Sequence, residues 1–363
     1  DKVAKRPDNP RAYDGLAYAF IDARRWQDAI AACDHARKVS PAYRGDLAVH
    51  LGQARMGLGQ PAEALPYFEE MLRVKPDDAE LHNNVGIALA ALHRFPEAIA
   101  HYETAVRLEP ALADAHNNLA NALAKSGRLS DAIVHYAAAV RLRPDDADAE
   151  TNWARSLSEA GQFAEALPHF EAALKLQPAP GAHEELGRAL FALGRADEAM
   201  RQYQAALDLA PDLLEARIGL GNVLATTGQL EAAQAQFKTA LRLRPDSAEA
   251  HYNLGNLLAR QEKLTEAIAH YEAALKAQPS LAGAHHNLAL VFMHVGRMPD
   301  ALRQLEETFQ LVPESADLHH ELALVLGELG RWREAERHEL AALRLQPDFP
   351  EAREHLTWLR QQQ

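Results

Sequence analysis

The nine residues HYNLGNLLA (His251–Ala259) decide how this chain is read, because near-copies flank them at a constant interval. HNNVGIALA (His82–Ala90) and HNNLANALA (His116–Ala124) lie upstream, and HHNLALVFM (His285–Met293) and HHELALVLG (His319–Gly327) lie downstream. The steps from His82 to His116, from His251 to His285 and from His285 to His319 are each 34 residues. Self-similarity at such a period marks an array of small helical units, none able to bury its apolar face alone.

Prolines frame these units. Pro7, Pro41, Pro76, Pro110, Pro144, Pro178, Pro211, Pro245, Pro279, Pro313 and Pro347 recur at the same period, with one interval of 35 and one of 33. Each follows an apolar helical stretch such as AALKLQP or TALRLRP, which proline terminates because it has no N–H to donate and crowds its predecessor. Asp77-Asp78, Asp145-Asp146, Asp212 and Asp246-Ser247 then read as N-caps of the next helix.

Between two prolines the pattern predicts a first helix, A, with leucines around a small residue, as in Leu254, Gly255 and Leu258. A break follows, usually at glycine: Gly59, Gly127, Gly161, Gly194, Gly228, Gly296 and Gly330. A second helix, B, carries alanine and then an aromatic four residues on, as in Ala98/Tyr102, Ala132/Tyr136, Ala166/Phe170, Ala233/Phe237 and Ala267/Tyr271. Small residues let helices approach closely, and the aromatics fill the space that remains. Cys33, Leu305 and Glu339 stand where B would carry its aromatic, and Arg24 stands where the first unit would carry its glycine. Pro66 and Pro168 fall inside B helices, where a deep position would kink them.

These residues resemble the tetratricopeptide repeat over nearly the whole chain. The resemblance implies an all-α, right-handed superhelical solenoid of about ten helix pairs, spanning 10–349 as one body. Residues 1–9 read as the end of a preceding repeat helix, and 350–363 as a C-terminal capping helix with a wettable outer face.

Composition narrows the partner. Aromatics are 6% and hydrophobic residues 48%, as suits helices packed through alanine and leucine. With 51 acidic against 38 basic residues and a net charge of −13, the chain lacks the basic stripe that nucleic acid requires. A protein or peptide bearing basic groups suits it better. The single Cys33 excludes an internal disulfide and a cysteine zinc site. No apolar run reaches the roughly 18 residues of a membrane span, so no membrane insertion is expected.

The eighteen histidines suggest metal, above all His285-His286 and His319-His320, but the repeat frame explains most of them. His82, His116, His183, His251, His285 and His319 share the fourth position of a repeat, and His101, His135, His169, His270 and His338 share the twenty-third. They read as scaffold, so no metal and no cofactor are expected. No GxSxG, HExxH, phosphate-binding loop or dinucleotide fingerprint occurs, and the chain is expected not to be an enzyme.

The asparagines on helix A are the candidate site. The resemblance implies that the second, fifth, sixth, ninth, twelfth and thirteenth positions line the concave face. The sixth is Asn84, Asn118, Asn152, Asn253 and Asn287; the ninth adds Asn121, Asn222 and Asn256; the fifth adds Asn83 and Asn117. An asparagine offers a donor and an acceptor together and so matches an extended peptide backbone, while packing between repeats would use the same amides. The ladder is similar to that in the repeat domain of protein O-GlcNAc transferases, which clamp a peptide. It is interrupted at the sixth position by Glu185 and Gly219 in repeats 6 and 7, which suggests two binding stretches, and again by Glu321 in repeat 10. His286 and His320 at fifth positions, with His294, place titratable groups on the same face, and Arg155 and Arg188 stand beside Glu184 and Glu185. The second position is mostly acidic (Asp46, Glu80, Asp114, Asp148, Glu215, Glu249, Asp317), unlike the basic clamp with which chaperone-tail-binding members hold acidic C-termini.

The leading expectation is therefore a peptide-binding scaffold or adaptor. Two rivals remain open. The chain begins with Asp1, and VAKRPDNPRAY resembles the junction where membrane O-mannosyltransferase-type glycosyltransferases pass into repeat tails; this implies a docking or regulatory arm of a larger enzyme, in the periplasm and not in the default cytoplasm. The other rival is a self-assembling homo-oligomer whose edges, Val3 and Ala4 at one end and 350–363 at the other, meet another copy.

Overall fold

The structure, a computed structural model, describes residues 9–43 and 46–362. The expected helix end at 1–9 and the edge at Val3 and Ala4 fall outside the described residues, apart from Asn9. Twenty-one helices occur among the described residues, and they alternate as A and B. The first five pairs are α1 (Pro10–Asp22) with α2 (Trp26–Val39), α3 (Leu47–Gly57) with α4 (Pro61–Val74), α5 (Ala79–Ala91) with α6 (Phe95–Leu108), α7 (Ala113–Lys125) with α8 (Leu129–Leu142), and α9 (Ala147–Glu159) with α10 (Phe163–Leu176). The next five are α11 (Pro180–Ala192) with α12 (Ala196–Leu209), α13 (Leu214–Thr226) with α14 (Leu230–Leu243), α15 (Ala248–Arg260) with α16 (Leu264–Ala277), α17 (Ala282–His294) with α18 (Met298–Leu311), and α19 (Ala316–Glu328) with α20 (Trp332–Leu345). The terminal helix α21 (Pro350–Gln362) is unpaired.

The chain forms two compact units, Asp1–Ala189 and Leu190–Gln363, divided inside α11. Within the first, B helices α2, α4, α6 and α8 each pack on the following A helix, and the A helices α5 and α7 also touch directly. The second unit repeats this, with α13 against α15, α15 against α17, and α19 against α21. Direct A-to-A contact makes the A helices the layer through which one repeat reads the next.

Sequence sets the helix limits. Every described B helix stops two residues before its framing proline, as Leu243 does before Pro245. Asp78, Asp146 and Ser247 cap α5, α9 and α15 by accepting from Leu81, Ala149 and Ala250 N–H. Asp212 departs from expectation: Leu213 occupies that N-cap, and no side chain closes it. Pro66 and Pro168 are accommodated, since α4 and α10 run on to Val74 and Leu176; each proline removes only a bond to a first-turn carbonyl.

The core follows the small-against-aromatic rule. A methyl group added at Gly52, Gly86, Gly221 or Gly255 would lie 2.4–2.8 Å from the ring of Phe68, Tyr102, Phe237 or Tyr271. Truncating one such ring to alanine is expected to cost about 3–5 kcal/mol. The A-to-B turn needs a left-handed residue, and the seven glycines named above supply it with φ of 71–82°. Arg24, His93 and Glu262 take the same conformation at φ 54°, 60° and 59°; the first was visible as a departure, the other two were not.

Candidate functional site

On several A helices the sixth-position side chain bonds back to the preceding repeat. In the first unit His50 Nδ1 lies 2.9 Å from Asp14 Oδ1. Asn118 Nδ2 donates to Asn83 Oδ1 at 3.0 Å, and Arg155 Nε donates to Glu185 Oε1 at 2.9 Å. In the second unit Asn287 Nδ2 donates to Asn256 Oδ1 at 2.8 Å, and His286 Nε2 meets Glu321 Oε2 at 2.8 Å. The interruptions at Glu185 and Glu321 thus keep the same geometry with ion pairs in place of amides. Gly219 has another cause: a Cβ there would lie 2.4 Å from the Tyr203 ring, which leaves no room for asparagine.

The ten candidate asparagines therefore divide by partner. Asn83 and Asn118 bond each other, as do Asn256 and Asn287. Asn121 Oδ1 accepts from Tyr136 Oη at 2.7 Å, Asn256 Oδ1 accepts also from Tyr271 Oη at 2.8 Å, and Asn152 Oδ1 accepts from Arg155 at 3.3 Å. Asn117 Oδ1 is buried without a partner. Asn84, Asn222 and Asn253 are half-buried, and among the described residues their side-chain amides bond no protein group. The tyrosine hydroxyls were missed in the sequence because each serves first as a core ring; only the polar residue 15 positions earlier hints at the bond.

Asn84 faces an opening of about 290 Å³ lined by Tyr18, Asp46, His50, Gln53, Lys75 and Glu80. Lys75 Nζ pairs with Asp46 at 3.3 Å, as Arg143 does with Asp114 at 2.7 Å, so these two second-position acids bind the cation that closes the following B helix. Beside this opening, burial works to raise the Asp14 carboxyl, but its bonds to His50 and Tyr43 outweigh it and hold the pKa below the ordinary value. In the second unit an opening of about 480 Å³ is lined by His286, Thr308, Asp317 and Glu321. Its His286 is raised by the hydrogen bond to Glu321 against the pull of burial. Burial also raises Glu249, and the charge of Glu215 on the preceding A helix adds to it.

The scaffold histidines form bonded pairs between the A and B helices of four repeats, on α5, α7, α15 and α19. His82, His116, His251 and His285 place Nε2 at 2.9–3.2 Å from the carbonyl of Pro76, Pro110, Pro245 and Pro279. A carbonyl only accepts, so Nε2 carries the proton and Nδ1 of the neutral ring is an acceptor. Nδ1 of His101, His135 and His270 then donates to Nδ1 of His82, His116 and His251 at 3.0, 3.1 and 2.9 Å. Arg217 replaces the histidine in its repeat and makes the same bonds to Pro211 O and Gln236. Burial, then the neighbouring imidazole, holds His101, His135 and His270 below the ordinary histidine pKa.

The site is thus a set of polar rows able to exchange hydrogen bonds and ion pairs. Cys33 is buried, and desolvation pushes its thiol up to about 12, which removes it as a nucleophile. Among the described residues no helix is long and apolar enough to cross a membrane.

Paired helices, an A-helix polar row and a 34-residue period define a helical-repeat protein-interaction module. The tetratricopeptide repeat family model matches residues 50–111, 86–147, 151–213, 218–282 and 286–350, and the chain belongs to that family. No curated protein sequence matches it. Among solved structures it is similar to a tetratricopeptide repeat protein from Parabacteroides merdae (17% identity, TM-score 0.51, 68% of this chain and 98% of that one). It is also similar to pilF of Pseudomonas aeruginosa (18% identity, TM-score 0.53, 57% of this chain and 95% of that one). YrrB, described as a repeat protein with an unusual peptide-binding site, matches at 28% identity with a TM-score of 0.43 over 51% of this chain and 96% of its own.

Proposed function

We propose that this chain is a non-catalytic interaction module that holds an extended, basic peptide segment against the A-helix rows of each unit. The supporting observation is Asn84. Its amide has no partner among the described residues and stands at an opening whose rim is mainly acidic, with Asp46, Asp78 and Glu80 against Lys75. A free amide in that position presents a donor and an acceptor to a peptide backbone, and the carboxylates favour lysine or arginine side chains. Asn253 and Asn222 play the corresponding part in the second unit, near the acidic pair Glu215 and Glu249. The bonded asparagines, Asn83 with Asn118 and Asn256 with Asn287, hold the rows rigid, which lowers the entropy lost on binding.

Peptides selected from a random library on the full chain, titrated by fluorescence anisotropy, test the reading. They are expected to carry lysine or arginine, to weaken as salt rises, and to lose about tenfold in affinity on Asn84→Ala or Asn253→Ala, the effect of one backbone hydrogen bond. Selected peptides that bind both variants as tightly as the wild type would refute the assignment.

A further inference from the structure

The last repeat breaks the packing rule of the B helices. Where other repeats bury Phe68, Tyr102, Tyr136 or Tyr271, α20 buries Glu339, whose side chain is 0% exposed. A carboxylate in such a place is strongly destabilising unless it is neutralised. Two imidazoles from different helices meet it. His320 of α19 places Nδ1 2.8 Å from Oε1, and His355 of α21 places Nδ1 2.5 Å from the same oxygen. Oε2 of Glu339 is buried with no hydrogen-bond partner. One donor atom from each of the three residues lies within 4.8 Å of the others.

We propose that His320, Glu339 and His355 form a binding site for a divalent transition-metal ion of the zinc class. Two imidazoles and one carboxylate are a donor set that zinc accepts, leaving a fourth tetrahedral position for water. With metal–ligand bonds of about 2.0–2.1 Å, tetrahedral donors stand about 3.3 Å apart, so each imidazole withdraws from Oε1 by under ~1 Å. An ion pair alone leaves Oε2 buried and unpaired; a cation and its water engage both oxygens. Aromatic walls complete the site: the Phe349 ring lies 5.0 Å from that of His320, and Trp358 stacks on His355 at 5.4 Å. Such apolar cover fixes ring orientation and limits access of water.

The histidines explained by the repeat frame are engaged elsewhere, and His286, the fifth-position counterpart of His320, meets a single carboxylate. His320 and His355 lie outside the two scaffold positions. The sequence showed Glu339 only as a missing aromatic, because its partners sit 19 residues before and 16 after it on other helices. The bound ion would pin α21 to the last repeat.

Tag-free protein, freed of metal by chelator and titrated with Co2+ under visible absorption, tests the site. The wild type is expected to take up one equivalent with the intense bands of a four-coordinate ion, to release it to Zn2+, and to melt at higher temperature with Zn2+ present. His355→Ala and Glu339→Gln are each expected to weaken uptake at least tenfold, since loss of a direct ligand exceeds the 10–100-fold effect of an outer-shell partner. His286→Ala is expected to leave it unchanged. His355→Ala, on the terminal helix, keeps the test valid where Glu339→Gln lowers helicity by circular dichroism. No stoichiometric uptake by the wild type, or undiminished uptake by His355→Ala at unchanged helicity, would show that the three side chains only pair as ions.

Discussion

Asn287 donates from Nδ2 to Oδ1 of Asn256 at 2.8 Å, across two successive A helices, and that oxygen also accepts the Tyr271 hydroxyl at 2.8 Å. A single amide therefore joins a core ring to the next repeat. Asn256→Ala would leave the hydroxyl of buried Tyr271 without its acceptor, at about 1–3 kcal/mol, and Asn287 with only Tyr252 Oη at 3.2 Å, whereas Asn253→Ala should change stability by less than ~0.5 kcal/mol. In a repeat array the effect is local, so hydrogen exchange of α15–α17 amides is the appropriate measurement. Equal exchange rates in the two variants would contradict this division of roles.

The left-handed turn gives a second expectation. His93 and Glu262 hold φ of 60° and 59° where other repeats use glycine. A side chain in that region costs about 1 kcal/mol, partly offset by the greater entropy glycine loses on folding. His93→Gly and Glu262→Gly should therefore raise stability by up to ~1 kcal/mol, and Gly127→Ala, at φ 78° in open space, should lower it by a similar amount. Thermal melts of the three variants against the wild type decide the matter.

Acid should loosen the histidine pairs. His101, His135 and His270 are lowered by burial and by the paired imidazole, His338 likewise, and His116 by burial. The unfolded chain thus binds more protons than the folded one just below the ordinary value of 6.5, and stability falls as pH drops from there through the depressed values. His286 and His320, raised by Glu321 and Glu339, run the other way: their contribution is full below 6.5 and fades as pH rises through the raised values. Gln304 already stands at the second histidine's position, with Oε1 2.6 Å from His285 Nδ1, and the same amide turned over offers the N–H that a neutral Nδ1 accepts. His135→Gln should likewise keep the contact and shrink the acid loss, measured as melting temperature against pH; an unchanged acid limb would remove the pair as its cause.

The elements were largely legible because period, proline and glycine act locally: two residues before each proline the helix stops, whatever its neighbours do. The site was legible only as a set of positions. Whether an amide at the sixth position faces a ligand or the preceding repeat depends on the distance between A helices, which no residue within one repeat encodes. Asn118 and Asn84 occupy the same position in neighbouring repeats, yet one is bonded to Asn83 and the other borders an opening. The fifth position of the preceding repeat separates these two, being Asn83 before Asn118 and Val49 before Asn84, but an asparagine there is not sufficient, since Asn117 before Asn152 leaves its Oδ1 unpartnered.

Gly219 tests that logic in reverse. Writing asparagine there would extend the sixth-position row on paper, but the new Cβ would fall 2.4 Å from Cε1 and Cζ of Tyr203. A ring held inside a packed core cannot retreat without moving its helix, so Gly219→Asn should cost about 1–3 kcal/mol through overpacking. Replacing the ring by a shorter apolar side chain vacates the contested space, and Gly219→Asn with Tyr203→Leu should recover part of the loss. The two substitutions are then coupled, with a double mutant less damaged than the sum of its singles. Urea unfolding of the four proteins in the cycle measures that coupling, and strict additivity would mean that the ring does not dictate the glycine.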